Sequence, residues 1–243
     1  MFGDDCLISE KAVVQTSRIG KEVSIEEFAV IRSDVIIGEN VSIHPYVVIE
    51  DGVVIGDNVE IFPGSYIGKI PKGAGALART PKFKKTIVIG NQCSIGPNAI
   101  IYYDVQIGDN TLIGDGASIR EECKIGAKCV IGRYVTINYE CVIGNCTKIM
   151  DHTWLGGKIV IEDDVFISGC VGMANDNNMG KNGYKDKEIQ GPYVKTGTAI
   201  GLGAAILPNV TIGSNTIIGA GTLVTKDIPD GSTVMGIPGR LRN

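Results

Sequence analysis

Two carboxylates, a histidine and their neighbours carry the chemistry that this sequence most clearly offers. Glu140 and Asp176 are 36 residues apart, and Tyr139 and Asn175, one position earlier, have the same separation. A carboxylate can hold an ammonium group or accept its proton, and an amide can fix a hydroxyl group. His152 lies between them in the sequence and can exchange a proton near neutral pH. We therefore treat these five residues as candidates for an acid–base or amine-binding site.

Structural interpretations of the same residues stay open. Lys158 lies midway between Glu140 and Asp176, where it could pair with either carboxylate. His152 could be an ordinary surface histidine. His44, the second of the two histidines, lies in a regular early stretch of the chain, so surface decoration is the favoured interpretation there.

A repeat that runs through the chain explains why a separation of 36 residues matters. An aliphatic residue recurs every six positions, in constant phase, within the stretches 7–67, 89–173 and 194–224. A period of six matches neither a helix nor a long strand, but it fits short strands separated by turns. Three hexads would make one coil of 18 residues. Residues 36 positions apart should then lie on one face, two coils apart.

The repeat predicts an all-β fold, namely a parallel β-helix of hexapeptide repeats with about ten coils. Aliphatic side chains would point to the axis and stack on their counterparts above and below, so that many coils bury a core that one coil cannot. An open α/β sheet would need helices between its strands, and the hexads leave no room for them. One domain, residues 1–243, accounts for the whole chain.

Two loops, residues 68–86 and 174–193, interrupt the repeat. In a repeat protein, insertions emerge on one face and often form the binding surface. The first loop contains six basic residues and no acid: Lys69, Lys72, Arg79, Lys82, Lys84 and Lys85. We expect this basic set, chiefly its members from Arg79 onward, to bind a negatively charged part of a substrate.

Composition excludes several classes of function. A net charge of -4 argues against general nucleic-acid binding. The sequence has no run of about 18 apolar residues and its start lacks the basic and apolar regions of a signal peptide, so we expect a cytoplasmic protein with no membrane partner. Four of the seven cysteines occupy a small inward position of the hexad, which predicts buried, reduced thiols. These are Cys93, Cys123, Cys129 and Cys141.

The repeats resemble those of a known superfamily. Segments such as 55–59 (IGDNV) and 107–111 (IGDNT) are similar to the repeats of hexapeptide-repeat acyltransferases, and 198–208 and 218–229 are similar to the CoA-binding end of that family. The resemblance implies a left-handed β-helix, a homotrimer, and acyl transfer from acetyl-CoA or another acyl-CoA at sites between subunits. It implies no metal.

The resemblance also implies where the donor binds. The pantetheine arm should lie along the C-terminal coils, residues 194–229, where small residues let it approach the backbone. These residues are Gly201, Gly203, Ala204, Gly219 and Ala220. Lys226, Arg240 and Arg242 are expected to meet the CoA phosphates.

Within the superfamily, two features resemble N-acyltransferases of nucleotide-linked amino sugars. These are the loop start at 174–176 and the basic insertion half way along the chain. The expected function is N-acetylation of the sugar amine, with Glu140 or Asp176 holding the ammonium or taking its proton, Asn175 fixing a hydroxyl, and His152 as a possible base. The basic insertion would bind the diphosphate. Where relatives carry a His-Asp-Cys type of triplet, this chain has Tyr139, Glu140 and Cys141.

Other functions remain open on the same scaffold. Relatives on the same scaffold acylate serine, tetrahydrodipicolinate or sugar hydroxyl groups, and a non-catalytic scaffold subunit would need no CoA-like end. A γ-type carbonic anhydrase needs three histidine ligands for zinc, and this chain has only two histidines.

Overall fold

Short parallel strands make up nearly all of the regular structure. The computed structural model describes residues 5–73, 79–181, 183, 185–237 and the backbone of 240–241. Within that part, a single turn of 3₁₀-helix at Asp186–Glu188 is the only helical element. None of the described segments forms a helix with the length and apolar character needed to cross a bilayer.

The strands form three sheets, one on each side of a triangular prism. Sheet A contains, in spatial order, Leu7–Ile8, Ser24–Ile25, Ser42–Ile43, Glu60–Ile61, Ser94–Ile95, Leu112–Ile113, Val130–Ile131, Lys148–Ile149, Phe166–Ile167, Ala199–Ile200, Ile217–Ile218, Thr233–Met235 and Arg240–Leu241. Sheet B contains Val13–Val14, Val30–Ile31, Val48–Ile49, Tyr66–Lys69, Ile100–Tyr102, Ser118–Ile119, Thr136–Ile137, Trp154–Leu155, Gly172–Met173, Ala205–Ile206 and Leu223–Val224. Sheet C contains Ile36–Ile37, Val53–Ile55, Ile87–Ile89, Val105–Ile107, Cys123–Ile125, Val142–Ile143, Val160–Ile161, Tyr193–Val194 and Thr211–Ile212.

The predicted left-handed parallel β-helix is confirmed, but it has about twelve coils rather than about ten. Thr233–Met235, which lies beyond the last predicted stretch of the repeat, adds one further strand, since it pairs in parallel with Ile217–Ile218. Only the pairing of Thr233–Met235 with Arg240–Leu241 is antiparallel among the described strands.

Both insertions leave the helix at the same corner. The first insertion, residues 70–86, connects a strand of sheet B to one of sheet C, and the second insertion, residues 174–192, does the same further along the axis. The repeat resumes in register after each, since Ile89 pairs with Ile55 and Val194 with Ile161. We call this edge, between sheets B and C, the BC corner.

The core confirms the predicted inward positions from Ile19 onward, but the first two anchors of the stretch 7–67 are wrong. Leu7 and Val13 are exposed by 74% and 48%, because in the first coil it is Ile8 and Val14 that pair with the inward Ile25 and Ile31. The isoleucine anchors are fully or almost fully buried, and the small positions beside them hold Val, Ala, Thr and Cys. Several of these polar groups donate to a carbonyl of the next coil, as Thr111 Oγ1 does to Gly126 at 2.9 Å and Cys129 Sγ to Gly144 at 3.1 Å. Burial raises the pKa of the Cys93, Cys123 and Cys129 thiols. The predicted buried thiols, all four of them free, are therefore present.

Left-handed backbone is a property of the corners. Glu140, His152 and Lys158 have φ values of 57°, 60° and 61°, and ordinary corner residues such as Asn58 and Asn110 have 56° and 58°. Such a conformation costs a non-glycine residue about 1 kcal/mol. Because it recurs along each edge, it does not by itself mark a functional residue.

The close approach of successive coils gives a test of the packing. A Cβ atom added at Gly108 would lie 2.6 Å from the backbone nitrogen of Ala127 in the next coil, whereas one added at Gly172 would meet nothing within 4 Å. We expect Gly108→Ala to lower the free energy of unfolding by about 1–3 kcal/mol, the usual cost of overpacking. Gly172→Ala should be neutral or slightly stabilising. Thermal unfolding followed by circular dichroism would measure both, and equal midpoints for the two variants would contradict the packing.

Candidate active site

A column of carboxylates runs along the BC corner between the two insertions. Asp104, Glu122 and Glu140 occupy the same corner position on three successive coils, with φ values of 63°, 61° and 57°, and Lys158 follows on the next coil. Coils are spaced by roughly 4.8 Å, so neighbouring carboxylates in this column are close enough to repel each other.

The first insertion covers this column from one side. Its last part, residues 79–86, we call the return segment. Arg79, Thr80 and Lys82 of the return segment line a cleft of about 350 Å³ together with Glu122, Glu140 and Asp186. A neighbouring hollow of about 310 Å³ lies between Lys84 and the same two glutamates, beside Asp104. We call the two together the corner cleft.

The return segment is fixed to the coils beneath it. The Phe83 ring stacks on Tyr103 with ring centroids 6.1 Å apart, and the Lys84 amide donates to Asp104 Oδ2 at 3.0 Å. The Asp104 amide in turn donates to the Thr86 carbonyl at 2.8 Å. The side chains of Lys82 and Lys84 are thereby presented to the corner cleft, while exposed Lys72 and Lys85 do not line it.

Arg79 corrects one feature of the sequence interpretation. The basic insertion was expected to lack a neutralising acid, but the Arg79 guanidinium is paired with Glu121 of the coil. It also lies over the Tyr139 ring, 3.6 Å from the centroid. The acid was missed because it belongs to a coil 42 residues further along the chain.

Tyr139 and Asn175 meet as the 18-residue coil predicted. The Asn175 side-chain amide donates to the Tyr139 hydroxyl at 3.4 Å. The Tyr139 ring lies across Gly157, and a Cβ atom added at Gly157 would be 2.5 Å from that ring. Glycine at 157 is therefore what lets the Tyr139 side chain bridge two coils.

Asp176 and Lys158 serve the second insertion. The Asp176 carboxylate accepts hydrogen bonds from the amides of Asn178 at 2.7 Å and Gly180 at 2.8 Å, so both oxygens hold its own loop. Lys158 Nζ donates to the Asp186 carboxylate at 2.5 Å and lies 4.0 Å from Glu140. Lys158 therefore forms ion pairs, as the structural interpretation of the sequence predicted, with Glu140 and Asp186 as its partners.

His152 lies on a different edge of the prism. It occupies the corner between sheets A and B, where its exposed ring stacks on Tyr134 with centroids 5.4 Å apart. Within one chain, the structure does not bring His152 to the carboxylates of the BC corner. Its catalytic role stays a prediction.

Burial, followed by the crowding of like charges, perturbs Glu122, a residue that the sequence analysis missed. Burial raises its pKa, and the nearby charges of Glu140 and Asp104 raise it further, against a lowering effect of Arg79. A cation bound here would relieve that repulsion. The signal was present in the sequence, since Asp104 and Glu122 precede Glu140 by two coils and one coil. Among the residues that the structure describes, no group of three or more His, Cys, Asp and Glu side chains could hold a metal ion.

The C-terminal coils show an open edge. Gly203 and Gly221, at successive corners between sheets A and B, have positive φ, and an added Cβ atom would meet nothing within 4 Å at either. Ala204 is only 1% exposed, so its side chain fills the core instead of facing a ligand.

The other donor-site candidates differ in their surroundings. Gly201 and Gly219 are close to the next layer, with Ala220 N at 2.5 Å and Met235 Cγ at 3.1 Å from an added Cβ atom. Ala220 and Lys226 are exposed. The Arg240 side chain and Arg242 lie outside the described residues.

Glu162 fastens the chain where it returns from the second insertion. Its carboxylate accepts hydrogen bonds from the Tyr193 hydroxyl and from the amide and hydroxyl of Thr196, the latter two at 2.9 Å. These hydrogen bonds, that of Tyr193 first, lower the pKa of Glu162 below its ordinary value of 4.5.

Comparisons with known proteins agree on the repeat. The model of the bacterial transferase hexapeptide (six repeats) matches residues 16–51 and 34–69, and that of the GMPPB C-terminal domain matches residues 82–182. A serine acetyltransferase of Bacillus subtilis is 38% identical over 92 residues, 38% of this chain and 41% of that protein. A galactoside O-acetyltransferase of Lactococcus lactis is 50% identical over 46 residues, 19% of this chain and 22% of that protein.

These sequence matches are partial, and the structural match extends further. The chain spans 30% and 41% of the first two curated relatives it matches, both serine acetyltransferases. Among solved structures, a UDP-N-acetylglucosamine acyltransferase of Bacteroides fragilis has a TM-score of 0.53 at 21% identity, with 97% of this chain and 74% of that one covered. That likeness shows the shared fold.

The contacts of Glu162 predict a pH-dependent stability. A carboxyl group whose pKa is lower in the folded state than in the unfolded state stabilises the fold at pH values above its unfolded-state pKa. This stabilisation is lost as the pH falls through the folded-state pKa. We therefore expect Glu162→Gln to lower the unfolding midpoint at pH 7, and the difference from wild type to shrink as pH falls below the ordinary value of 4.5. Exposed Glu39, at the same corner of an early coil, offers a control, since Glu39→Gln should have little effect. A difference independent of pH would contradict the assignment.

Proposed function

We propose that this chain, which belongs by repeat and fold to the hexapeptide-repeat proteins, is an acyl-CoA-dependent N-acyltransferase that acylates the amino group of a nucleotide-linked amino sugar. The acyl donor is acetyl-CoA or another acyl-CoA. The observation that carries the proposal is the corner cleft, which has glutamates on the coil side and lysines on the return segment.

The charges of the corner cleft suit an acceptor that carries both signs. Glu122 and Glu140 can hold an ammonium group, while Lys82 and Lys84 face them from the return segment and can meet phosphate oxygens. A nucleotide-linked amino sugar carries an ammonium and a diphosphate on one sugar ring. Tyr139 precedes Glu140 in the chain, and its hydroxyl together with the Asn175 amide that donates to it is our choice for binding a sugar hydroxyl.

The chemical step needs few groups. The neutral amine attacks the thioester carbonyl, its nitrogen passes a proton to a cleft carboxylate, and the C–S bond breaks to release the CoA thiolate, which then takes up a proton. An amine with a pKa of roughly 8 is partly neutral at pH 7, so the carboxylate needs only modest basicity. Glu140 is our choice for the proton acceptor, with Glu122 beside it. Asp176 is left to order the second insertion, because amides of its own loop occupy both oxygens.

For the donor, we place the pantetheine arm along the open edge at Gly203 and Gly221. The absence of any atom within 4 Å of an added Cβ at these glycines supports close approach of an extended chain. Exposed Lys226 is available for the CoA phosphates. Because the open edge and the BC corner are different edges of one prism, donor and acceptor would meet between subunits.

A homotrimer is therefore part of the proposal. Outward positions of the sheets carry apolar side chains that a partner could cover, including Val88 and Val142 on sheet C and Leu112 on sheet A, exposed by 45%, 42% and 43%. A trimer would also let His152 approach the acceptor of a neighbouring subunit. The cytoplasmic location expected from the sequence belongs to the same proposal.

A second candidate acceptor is serine or another small molecule, and the 38% identity to the Bacillus subtilis serine acetyltransferase favours it. Purified protein incubated with acetyl-CoA and a panel of acceptors, with detection of free thiol, separates the two. Thiol release dependent on nucleotide-linked amino sugars supports the proposal, and release with serine alone replaces it. Failure of CoA to raise the thermal midpoint would favour a non-catalytic scaffold.

The lysines of the return segment give the first kinetic prediction. We expect Lys82→Ala combined with Lys84→Ala to raise the KM for the nucleotide sugar about tenfold or more, because two phosphate contacts are lost, with little change in the KM for acyl-CoA. The effect should be larger at low salt. Lys21→Ala, at an exposed lysine on an early corner, is the control. An equal rise in both constants would instead indicate a defect in folding or assembly.

The second kinetic prediction separates Glu140 from His152. Glu140→Gln should raise the acceptor KM about tenfold and lower kcat, and a higher pH should partly restore activity by supplying neutral amine. In the wild type, the raised pKa of Glu122 means that the cleft loses negative charge as pH falls, starting above 4.5, so the acceptor KM should rise on acidification. His152→Asn should change kcat only slightly. A loss of about 10²-fold in kcat for His152→Asn, without a change in KM, would transfer the role of base to His152.

A further inference from the structure

A fully buried carboxylate lies under the corner cleft without lining it. The Glu121 side chain has no exposed surface and accepts hydrogen bonds from Arg120 Nε and Nη2, each at 3.1 Å, and from the Arg79 guanidinium. Arg79 and Arg120 are themselves largely buried, with side chains 12% and 21% exposed. A buried carboxylate is stable only when it is paired, so the Arg79 contact is held firmly.

Arg79 brings the return segment to this carboxylate. Its guanidinium is enclosed by the Glu121 carboxylate and the face of the Tyr139 ring. Thr80 and Lys82, which line the corner cleft, follow within three residues. The other end of the same stretch is fixed by the stacking of Phe83 on the ring of Tyr103. Lys82 thus lies between two anchors, of which only the first depends on charge.

We propose that Glu121 is a positioning residue, which through Arg79 fixes the return segment over the corner cleft and so sets where Lys82 faces Glu140. Glu121 itself contacts neither substrate nor the reacting atoms. The kinetic consequence rests on the proposed function, whereas the structural consequence can be measured without any activity.

Limited proteolysis measures the structural consequence. Trypsin cleaves after Lys82 only when the return segment can leave the coil, and mass spectrometry identifies that cut. We expect Glu121→Gln and Arg79→Gln each to raise the initial rate of cleavage after Lys82 about tenfold, with the circular dichroism of the coil unchanged for Arg79→Gln. The double variant should be cleaved no faster than either single variant.

Arg120→Gln is the matched control, because it removes the other arginine of Glu121 and leaves the pair with Arg79. Its cleavage after Lys82 should stay near the wild-type rate. If Arg79→Gln is cleaved at the wild-type rate, or if Arg120→Gln is cleaved as fast as Arg79→Gln, Glu121 does not position the return segment and the inference is wrong. Arg79→Gln keeps the test valid even if Glu121→Gln fails to fold.

Kinetics then test the link to the acceptor. Glu121→Gln and Arg79→Gln should each raise the KM for the nucleotide sugar about tenfold, leave the KM for acyl-CoA unchanged, and change kcat less than KM, because a displaced Lys82 weakens binding more than chemistry. Since Arg79 itself lines the cleft, a rise for Arg79→Gln without one for Glu121→Gln would indicate a direct contact of Arg79 with the acceptor and would overturn the positioning role. Increased cleavage together with an unaltered acceptor KM would overturn the positioning role. If the variants are cleaved faster but the wild-type protein acylates no amino sugar, the proposed function is wrong and the positioning of the return segment by Glu121 still holds.

Discussion

The ladder of backbone hydrogen bonds between coils is the constraint on which the rest of the structure depends. All described strands except the terminal Arg240–Leu241 pair in parallel with the strand one coil away on the same side of the prism, so residues added within a strand would break its pairing with both neighbours. Extra residues can therefore leave only at a corner and must return in register, as they do between Ile55 and Ile89 and between Ile161 and Val194. Because both insertions use the BC corner, they flank a single stretch of that edge.

That stretch acquires its chemistry from the same ladder. Residues at one corner position are held one strand spacing apart, so Asp104, Glu122 and Glu140 become a column of like charges that a flexible chain would separate. Nearby cations partly offset the repulsion. Lys158 belongs to the same column, and the lysines of the return segment approach it from outside. A rigid acidic edge facing a basic segment is the basis of the proposed acceptor site.

The sequence could predict those contacts whose residue separation is set by the 18-residue coil, and it could not predict contacts made by the insertions. The fold, the inward cysteines and the meeting of Tyr139 with Asn175 all follow from counting in sixes, because the coil sets their separation. Counting in sixes also misses Thr233–Met235, which continues sheet A within a tail that has lost the hexad pattern. The Arg79 pair with Glu121 joins an insertion to a coil, and no period in the sequence encodes that contact.

The pattern of similarity to known proteins has the same physical origin. Close stacking demands aliphatic anchors, glycine at crowded corners such as Gly108, and Asn or Asp where a side chain must accept an amide from the neighbouring coil, as Asp109 does from Asn91. Proteins that share the coil are therefore expected to share these residues whatever their substrate. Identity can then be high over a short segment, as in the 46 residues aligned at 50% identity with the Lactococcus lactis enzyme. Insertions are free of that demand. The residues that select an acceptor are thus expected where the repeat is interrupted, and in this chain the interruptions meet at Glu122 and Glu140.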